Sequence, residues 1–501
     1  MLHKNLPIFA VLATLFGLAA HFRFIASDEA FYNVAARLVW EGKLPYLDFF
    51  YPQTPLLPYF YGIFLGIFGE SWETSRILTA LLAATTGTFL FAYLRKNVGL
   101  KYALFAALLF VGSEMSLAWF TVTKTYALSS VLLFAAFMYA ERAKEKGAAS
   151  FFLCGLCLGL AVNVRLFFLV CGLPFLAAAC LHPSRRRAAL GLVAGGVVTA
   201  LPHIYFGAVC PESWYFSNYG YHTLRSTIGS PAGEISQKLE VLKGFLCLGS
   251  QKFWAGGQET ILLALNLAHV IWSITCGRRF SLASGVGFCL FAANFLPTPT
   301  WRQYFAPLTP FFLVGAVFFV RDLCGAKSKA FRVAAKLGMV ILCVTYLSFT
   351  PHAVHRFLVP RTYRYQVNDR APVRVWHMRT ISEELNTRTY AKEVVLSQWP
   401  GYLFGSHASP APRLENQFWV RVWKKLSPAQ RESLHVADPE YLQSLVERHK
   451  IRVLVNGRRG REFARLTPKQ HGYRLVFEKY GVQIFERRKT DLEESKEHLK
   501  N

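Results

Sequence analysis

Long apolar runs separated by short polar links set the pattern of this chain. They fall at Leu6–Phe22 and at about 72–94, 102–118, 126–140, 151–164, 166–181, 188–206, 260–275, 281–296, 304–320 and 333–349. Each is near the length a helix needs to cross a hydrocarbon core, so the pattern predicts about eleven transmembrane helices. The first run follows His3 and Lys4, and no clean small-residue cleavage site comes after it, which favours a retained span over a signal peptide. Residues 56–68 are apolar as well, but that run is short and starts behind Pro52, Pro55 and Pro58, which suit a helix start. An interfacial helix is predicted there.

Composition agrees with this reading. The 501 residues are 53% hydrophobic and only 17% charged, with a mean hydropathy of +0.27, which is too apolar for an ordinary soluble enzyme. The net charge of +26 comes from Lys and Arg gathered in the links RKNVGLK, ERAKEKG, HPSRRR, CGRR and RDLCGAKSKAFR. Leaving 56–68 out of the spans puts all of them on the side of the N-terminus, so the charge balance reads as cytoplasmic topology and not as nucleic-acid binding. The opposite side then receives two long loops, about 23–71 and 207–259, and everything after Thr350. That tail alternates strand-like runs (VVLSQW, IRVLVNG, YRLVFEKYGVQIFERR) with a helical stretch at PEYLQSLVERHK, and predicts a small extracytoplasmic α/β domain. No internal repeat of the kind that builds duplicated transporters is evident.

The 10 cysteines lie mostly inside apolar runs, including the CxxC pair Cys154 and Cys157, and read as small packed hydrophobes. Cys210 and Cys247 are the two placed in outer loops, where a disulfide can form.

Candidate chemistry concentrates in the first outer loop, SDEAFYNVAARLVWEGKLPYLDFFYPQTPLLPYF. Asp28 and Glu29 begin a helix directly after a membrane exit. Capping that helix is the plain role for such carboxylates. Yet they are followed by Arg37, Lys43, Asp48 and a short proline-flanked helix, a richer set than a cap needs. In the second outer loop, PESWYFSNYGYHTLRS, the aromatics can anchor at the interface or stack on a sugar. His222 there can be an ordinary loop residue or a substrate contact.

On these residues the chain resembles the type C glycosyltransferases, in particular the bacterial lipid A aminoarabinose transferases and the protein O-mannosyltransferases. DEAFYNVAARLVWEGK matches that superfamily's first juxtamembrane helix, PLLPYFYGIFLGIFG its second, and SWETSRILTALL the span that follows, with Arg76 where the family often carries an Arg. NVRLFFLVCGLP (163–174) resembles the stretch bearing a basic residue at the outer end of a middle span, and WRQYFAPLTPFF (301–312) the arginine-aromatic-proline start of a late span. Two positions depart from the pattern. FFYPQTPL carries Tyr51 and Gln53 where some relatives keep a Lys, and TVTKTYALSS carries Lys124 and Tyr126 where many keep a second carboxylate.

The resemblance implies a transmembrane catalytic domain over 1–350, an extracytoplasmic α/β domain over 351–501, and two juxtamembrane helices in the first outer loop. It implies transfer of a sugar from a polyprenyl-phosphate donor to an envelope acceptor, outside the cytoplasmic membrane of a bacterium. Asp28 is then the expected base, with Glu29 as its support or as ligand to a possible divalent metal ion. Arg165, Arg302 and Lys124 are expected at the donor phosphate, and Asp48, Tyr51, Gln53, Tyr126, His222 and Tyr304 around the substrates. For Arg165 and Arg302, snorkelling from a helix end to the interface is the competing role. The rival classes are a transporter or lipid-linked sugar flippase, which calls for ionisable residues deep inside spans, and a scaffold, which would leave Asp28 dispensable.

Overall fold

The computed structural model describes residues 5–225, 230–246, 248, 257–276, 281–325, 328–359, 373–397, 399–448, 451–457 and 468–487. The chain divides into two compact units. One is drawn from Met1–Ala20, Thr79–Ile204 and Ile228–Val359, the other from His21–Leu78, Tyr205–Thr227 and Pro360–Asn501.

The first unit is helical. Helix α1 is Leu6–Phe22, and further along come α4 (Trp72–Val98), α5 (Leu100–Gly112), α6 (Glu114–Trp119), α7 (Thr125–Lys146) and α8 (Ser150–Val164). After α9 (Gly172–Cys180), α10 (Arg185–Thr199) and α11 (Leu201–Val209), the unit resumes at α14 (Pro231–Phe245) and continues through α15 (Gly257–Thr275), α16 (Leu282–Ala293), α17 (Thr309–Cys324), α18 (Lys329–Ser348) and α19 (Thr350–Leu358). Among the described residues three stretches are long and apolar enough to cross a membrane: Trp72–Val98, Arg302–Cys324 and Lys329–Leu358. The pair Arg185–Thr199 and Leu201–Val209, bent by 42°, makes a fourth if it is one span. Of the other apolar runs, those in α7 and α15 form helices of 22 and 19 residues that are less apolar, and the rest fold as shorter helices, some of them at breaks. Ser113 is extended and divides α5 from α6, and Pro202 stands where α11 begins. Val333, Leu337, Val340, Ile341 and Val344 of α18 are all more than half exposed, an apolar face suited to lipid and not to water.

Helices α8 and α10 meet across glycine. A Cβ on Gly155 would stand 2.0 Å from the Leu192 carbonyl oxygen, and one on Gly159 would stand 1.8 Å from the Thr199 hydroxyl. This small-xxx-small spacing lets the two backbones touch, while Asn163 donates across the contact to the Thr199 carbonyl at 2.7 Å. The end of α8 is thereby located, and Arg165 is the next residue but one after Asn163.

The second unit combines α2 (Glu29–Trp40), α3 (Leu56–Phe68), α12 (Pro211–Tyr215) and α13 (Tyr221–Leu224) with α20 (Val375–Arg388), α21 (Pro428–Ser433), α22 (Pro439–Glu447) and a five-stranded sheet. The strands β1 (Val394–Ser397), β2 (Ser409–Pro410), β3 (Val453–Gly457), β4 (Tyr473–Lys479) and β5 (Val482–Arg487) take the order β2-β1-β3-β5-β4. Pairing is parallel from β2 to β3 and antiparallel from β3 to β4. The β4–β5 hairpin turns at Tyr480 and Gly481, both with positive φ, as a two-residue turn between twisted strands requires. The short helix expected over 56–68 is α3, 13 residues long and too short to span. Its close packing with α2 puts Gly62 against the Ala36 carbonyl, 2.6 Å from where a Cβ would be.

Candidate functional site: an acidic turn and an aromatic-walled cation

In the second unit, the turn before α2 is pinned by buried polar contacts. Glu29 is 0% and Arg76 2% exposed. The Arg76 guanidinium donates to both Glu29 oxygens, from Nε at 3.0 Å and Nη2 at 2.7 Å, and to the Arg23 and Phe24 carbonyls at 2.7 and 3.1 Å. Glu29 Oε1 also accepts the Ala26 N–H at 2.6 Å. A bidentate pair satisfied on both sides is the geometry in which a buried ion pair holds its place. Its chain partners are the residues that lead into Asp28. The Ser27 carbonyl is gripped in turn by Trp399 Nε1 at 2.8 Å and Gln417 Nε2 at 3.0 Å.

Asp28 is the N-cap residue of α2, half-buried, with an αR backbone and no side-chain cap hydrogen bond. Ser27 Oγ donates to its Oδ1 at 3.3 Å. The capping role that an acidic residue here would ordinarily take is not made. Glu29, the next residue, has both oxygens engaged by Arg76.

Other residues expected at the site have structural partners in this unit. Asp48 is exposed and closes its own turn by accepting the Leu44 N–H at 2.6 Å. Tyr51 is buried between Phe31 and Tyr46, and its hydroxyl has no hydrogen-bond partner among the described residues. Burial holds that phenol well above its ordinary pKa. The Gln53 carbonyl accepts from Tyr46 Oη. His222 is half-buried with its ring edge-on to Tyr221. Of the second-loop aromatics, Phe216 and Tyr221 enter the core around Trp419 and Leu454, while Tyr215 and Tyr219 stack on one another, 61% and 42% exposed. Cys210 is half-buried; Cys247 lies outside the described residues.

The first unit carries the cations. Arg165 follows α8 with an extended backbone. Its guanidinium carbon lies 4.1 Å from the centre of the Tyr304 ring, 4.7 Å from Phe167 and 5.7 Å from Tyr126, and Nη1 donates to Tyr126 Oη at 3.4 Å. Lys124, just before α7, is 4% exposed, with Nζ 5.0 Å over the Trp119 ring and 3.5 Å from Gln303 Oε1. The structure brings Arg165, Tyr126 and Tyr304 together, with Lys124 two residues before Tyr126.

Arg302 is held differently. It forms 2.9 Å salt bridges to both Glu114 and Glu259, carboxylates that are 3% and 6% exposed. Arg356 approaches Glu114 at 3.7 Å. Gln258 sews the break beside them: it donates to the carbonyls of Gly112 and Tyr346 at 2.9 and 2.8 Å, and its Oε1 accepts the Glu114 N–H at 2.6 Å. These contacts satisfy helix-end groups that would otherwise be orphaned. Sequence reasoning overlooked Glu114 and Glu259; a carboxylate inside an apolar run, as at Glu114, was the signal available. Among the described residues no cluster of three or more His, Cys, Asp or Glu side chains has the arrangement of a metal site.

Residues 52–206 match the family described as dolichyl-phosphate-mannose-protein mannosyltransferase. Comparison with curated proteins by sequence finds no match. By structure the chain is similar to ArnT from Cupriavidus metallidurans, with a TM-score of 0.63 and 12% identity over 97% of this chain and 98% of that one for the form bound to undecaprenyl phosphate. For the apo form the TM-score is 0.64, again at 12% identity, over 96% and 97%. It is also similar to the arabinofuranosyltransferase AftD from Mycobacteria, with a TM-score of 0.51 and 14% identity over 95% of this chain but 39% of that longer one. The chain thus shares the fold of these transferases, and its residues 52–206 match the mannosyltransferase family.

Proposed function

We propose that the protein is a membrane glycosyltransferase that moves a sugar from a polyprenyl phosphate to an acceptor on the outer face of a bacterial cytoplasmic membrane. The observation that carries the reading is the pinned turn at Asp28: the structure spends a buried bidentate ion pair on locating a carboxylate that does not cap its helix. The likeness to a transferase solved with undecaprenyl phosphate supports the donor class. In the reaction the acceptor hydroxyl gives its proton to Asp28 while its oxygen bonds to the anomeric carbon, and the bond from that carbon to the phosphate oxygen breaks. A single base acting in line inverts the anomeric centre. The departing phosphate gathers negative charge and needs cations but no proton; Arg165 and Lys124 supply them. Tyr126 and Tyr304 orient Arg165. With the basic links in the cytoplasm, the proposed topology has about eleven spans, the N-terminus inside and the domain 351–501 outside. A reporter fused after β5 should be active only as an extracytoplasmic fusion.

Asp28→Asn tests the reading. Asparagine keeps the shape, so insertion and folding should be retained. It cannot take a proton, so transfer from polyprenyl phosphate in membranes should fall by roughly 10²- to 10⁴-fold. Wild-type transfer by a normally purified Asp28→Asn protein would remove Asp28 from the chemistry.

A further inference from the structure

A cavity lies within the first unit, far from the cations just described. Helix α7 starts beside Lys124 and Tyr126 and ends at Glu141 and Lys144, which line it; α8 starts at Phe151 on its wall and ends at Arg165; α17 follows Arg302 and Tyr304 and ends at Arg321 and Asp322, also on its wall. At 1.5 Å per residue, the 22 residues of α7 separate the two places by about 30 Å. The cavity is therefore at the other end of the same helices, the end where the basic links emerge.

Its volume is about 910 Å³, within the range of small-molecule sites. Its wall is mixed. Phe151, Leu181 and Phe318 make an apolar side. Two ion pairs stand at its rim, Lys144 Nζ to Glu141 at 2.8 Å and Arg321 Nε to Asp322 at 2.8 Å, so among the described residues the cations and carboxylates of the wall are equal in number. His269 also lines it, 4% exposed, and neither ring nitrogen has a hydrogen-bond partner among the described residues. A buried imidazole with both nitrogens unmet, opening on a polar cavity, calls for a ligand that offers hydrogen bonds.

We propose that this cavity binds the headgroup of a zwitterionic aminophospholipid from the leaflet on the side of the basic links. The phosphate meets Arg321 and Lys144, the ammonium meets Glu141 and Asp322, His269 hydrogen-bonds the phosphate ester region, and the acyl chains leave along the apolar wall. The balanced rim favours a headgroup carrying both charges over a purely anionic one, which would face two carboxylates uncompensated. This inference rests on the membrane reading of the helices and not on the transferase reading.

The test is native mass spectrometry of the full-length protein in detergent, titrated with palmitoyl-oleoyl phosphatidylethanolamine, the matching phosphatidylglycerol and the matching diacylglycerol. The wild type should retain phosphatidylethanolamine best, and Lys144→Ala and His269→Leu should each weaken it at least about fivefold while leaving diacylglycerol unchanged. Lys144 is at the exposed rim, so its variant keeps the test usable if His269→Leu does not fold. A preference for phosphatidylglycerol, no discrimination against diacylglycerol, or equal retention by wild type and the folded variants would overturn the proposal.

Discussion

Arg165 and Arg302 look alike in the sequence, each an arginine beside aromatics at the end of an apolar run, and the structure surrounds them with opposite chemistry. Arg302 is clamped between two buried carboxylates. Arg165 stacks against the faces of Tyr304, Phe167 and Tyr126, which attract a guanidinium through the ring quadrupole. An arginine set among aromatic rings and one that bridges two buried carboxylates are held in place by different forces. The environment of a cation, more than its position at a span end, decides what it is for.

The largest expected effect is on Arg302. Its removal takes the guanidinium from buried Glu259 and leaves Glu114 only the more distant Arg356 at 3.7 Å, and breaking a buried ion pair in this way costs about 3 to 5 kcal/mol. Arg302→Ala should therefore melt well below wild type in detergent, and adding Glu114→Gln and Glu259→Gln should recover part of the loss. An Arg302→Ala protein of wild-type thermal stability with impaired donor binding would reverse the comparison and make Arg302 a phosphate ligand.

The same contrast exists between carboxylates of the second unit. Glu29 has its guanidinium partner, while Glu415 is 7% exposed with Oε2 unpartnered among the described residues, and burial pushes its carboxyl up to about 7. The folded protein thus prefers the protonated acid: no cost is incurred below the unfolded value of about 4.3, and it grows as pH rises to about 7. Glu415→Gln should stabilise the protein at pH 8.5 by up to about 3 kcal/mol and leave it unchanged at pH 4. A gain equal at both pH values would show that packing, and not ionisation, is responsible.

Arg165 carries the smallest of these effects and the most specific. Loss of one charge-assisted contact to the phosphate is worth about 1.5 to 3 kcal/mol, so Arg165→Ala should weaken donor use roughly 10- to 100-fold with little change in melting. Arg165→Lys should restore part of it, since the point charge remains but the planar fork that stacks on Tyr304 does not. Donor kinetics unchanged in Arg165→Ala would return this residue to a place-holding role at the helix end.

Much of this molecule was readable as sequence, because bilayers and turns impose local rules. Proline at 52, 55 and 58 and a short apolar run are enough for α3, alternation and the Tyr-Gly pair for the β4–β5 hairpin, and apolar length for the long helices. Asp28, Glu29 and Arg76 were each singled out in the sequence through a resemblance to a known family, though not as partners. What only the tertiary structure decided is who partners whom. Glu29 meets Arg76 across 47 positions of chain and Gln258 closes a helix end 146 positions away. The extended break at Ser113, which divides an apolar run, is bridged by Gln258, which donates to the Gly112 carbonyl and accepts the Glu114 N–H. Arg165 and Arg302 could not be told apart by their neighbours in sequence, since the carboxylates beside Arg302 and the Tyr126 and Tyr304 rings beside Arg165 come from other helices. Electrostatic environment falls off with distance in space and is blind to distance along the chain, and for that reason the fold was largely written in the sequence while the division of labour among its arginines was not.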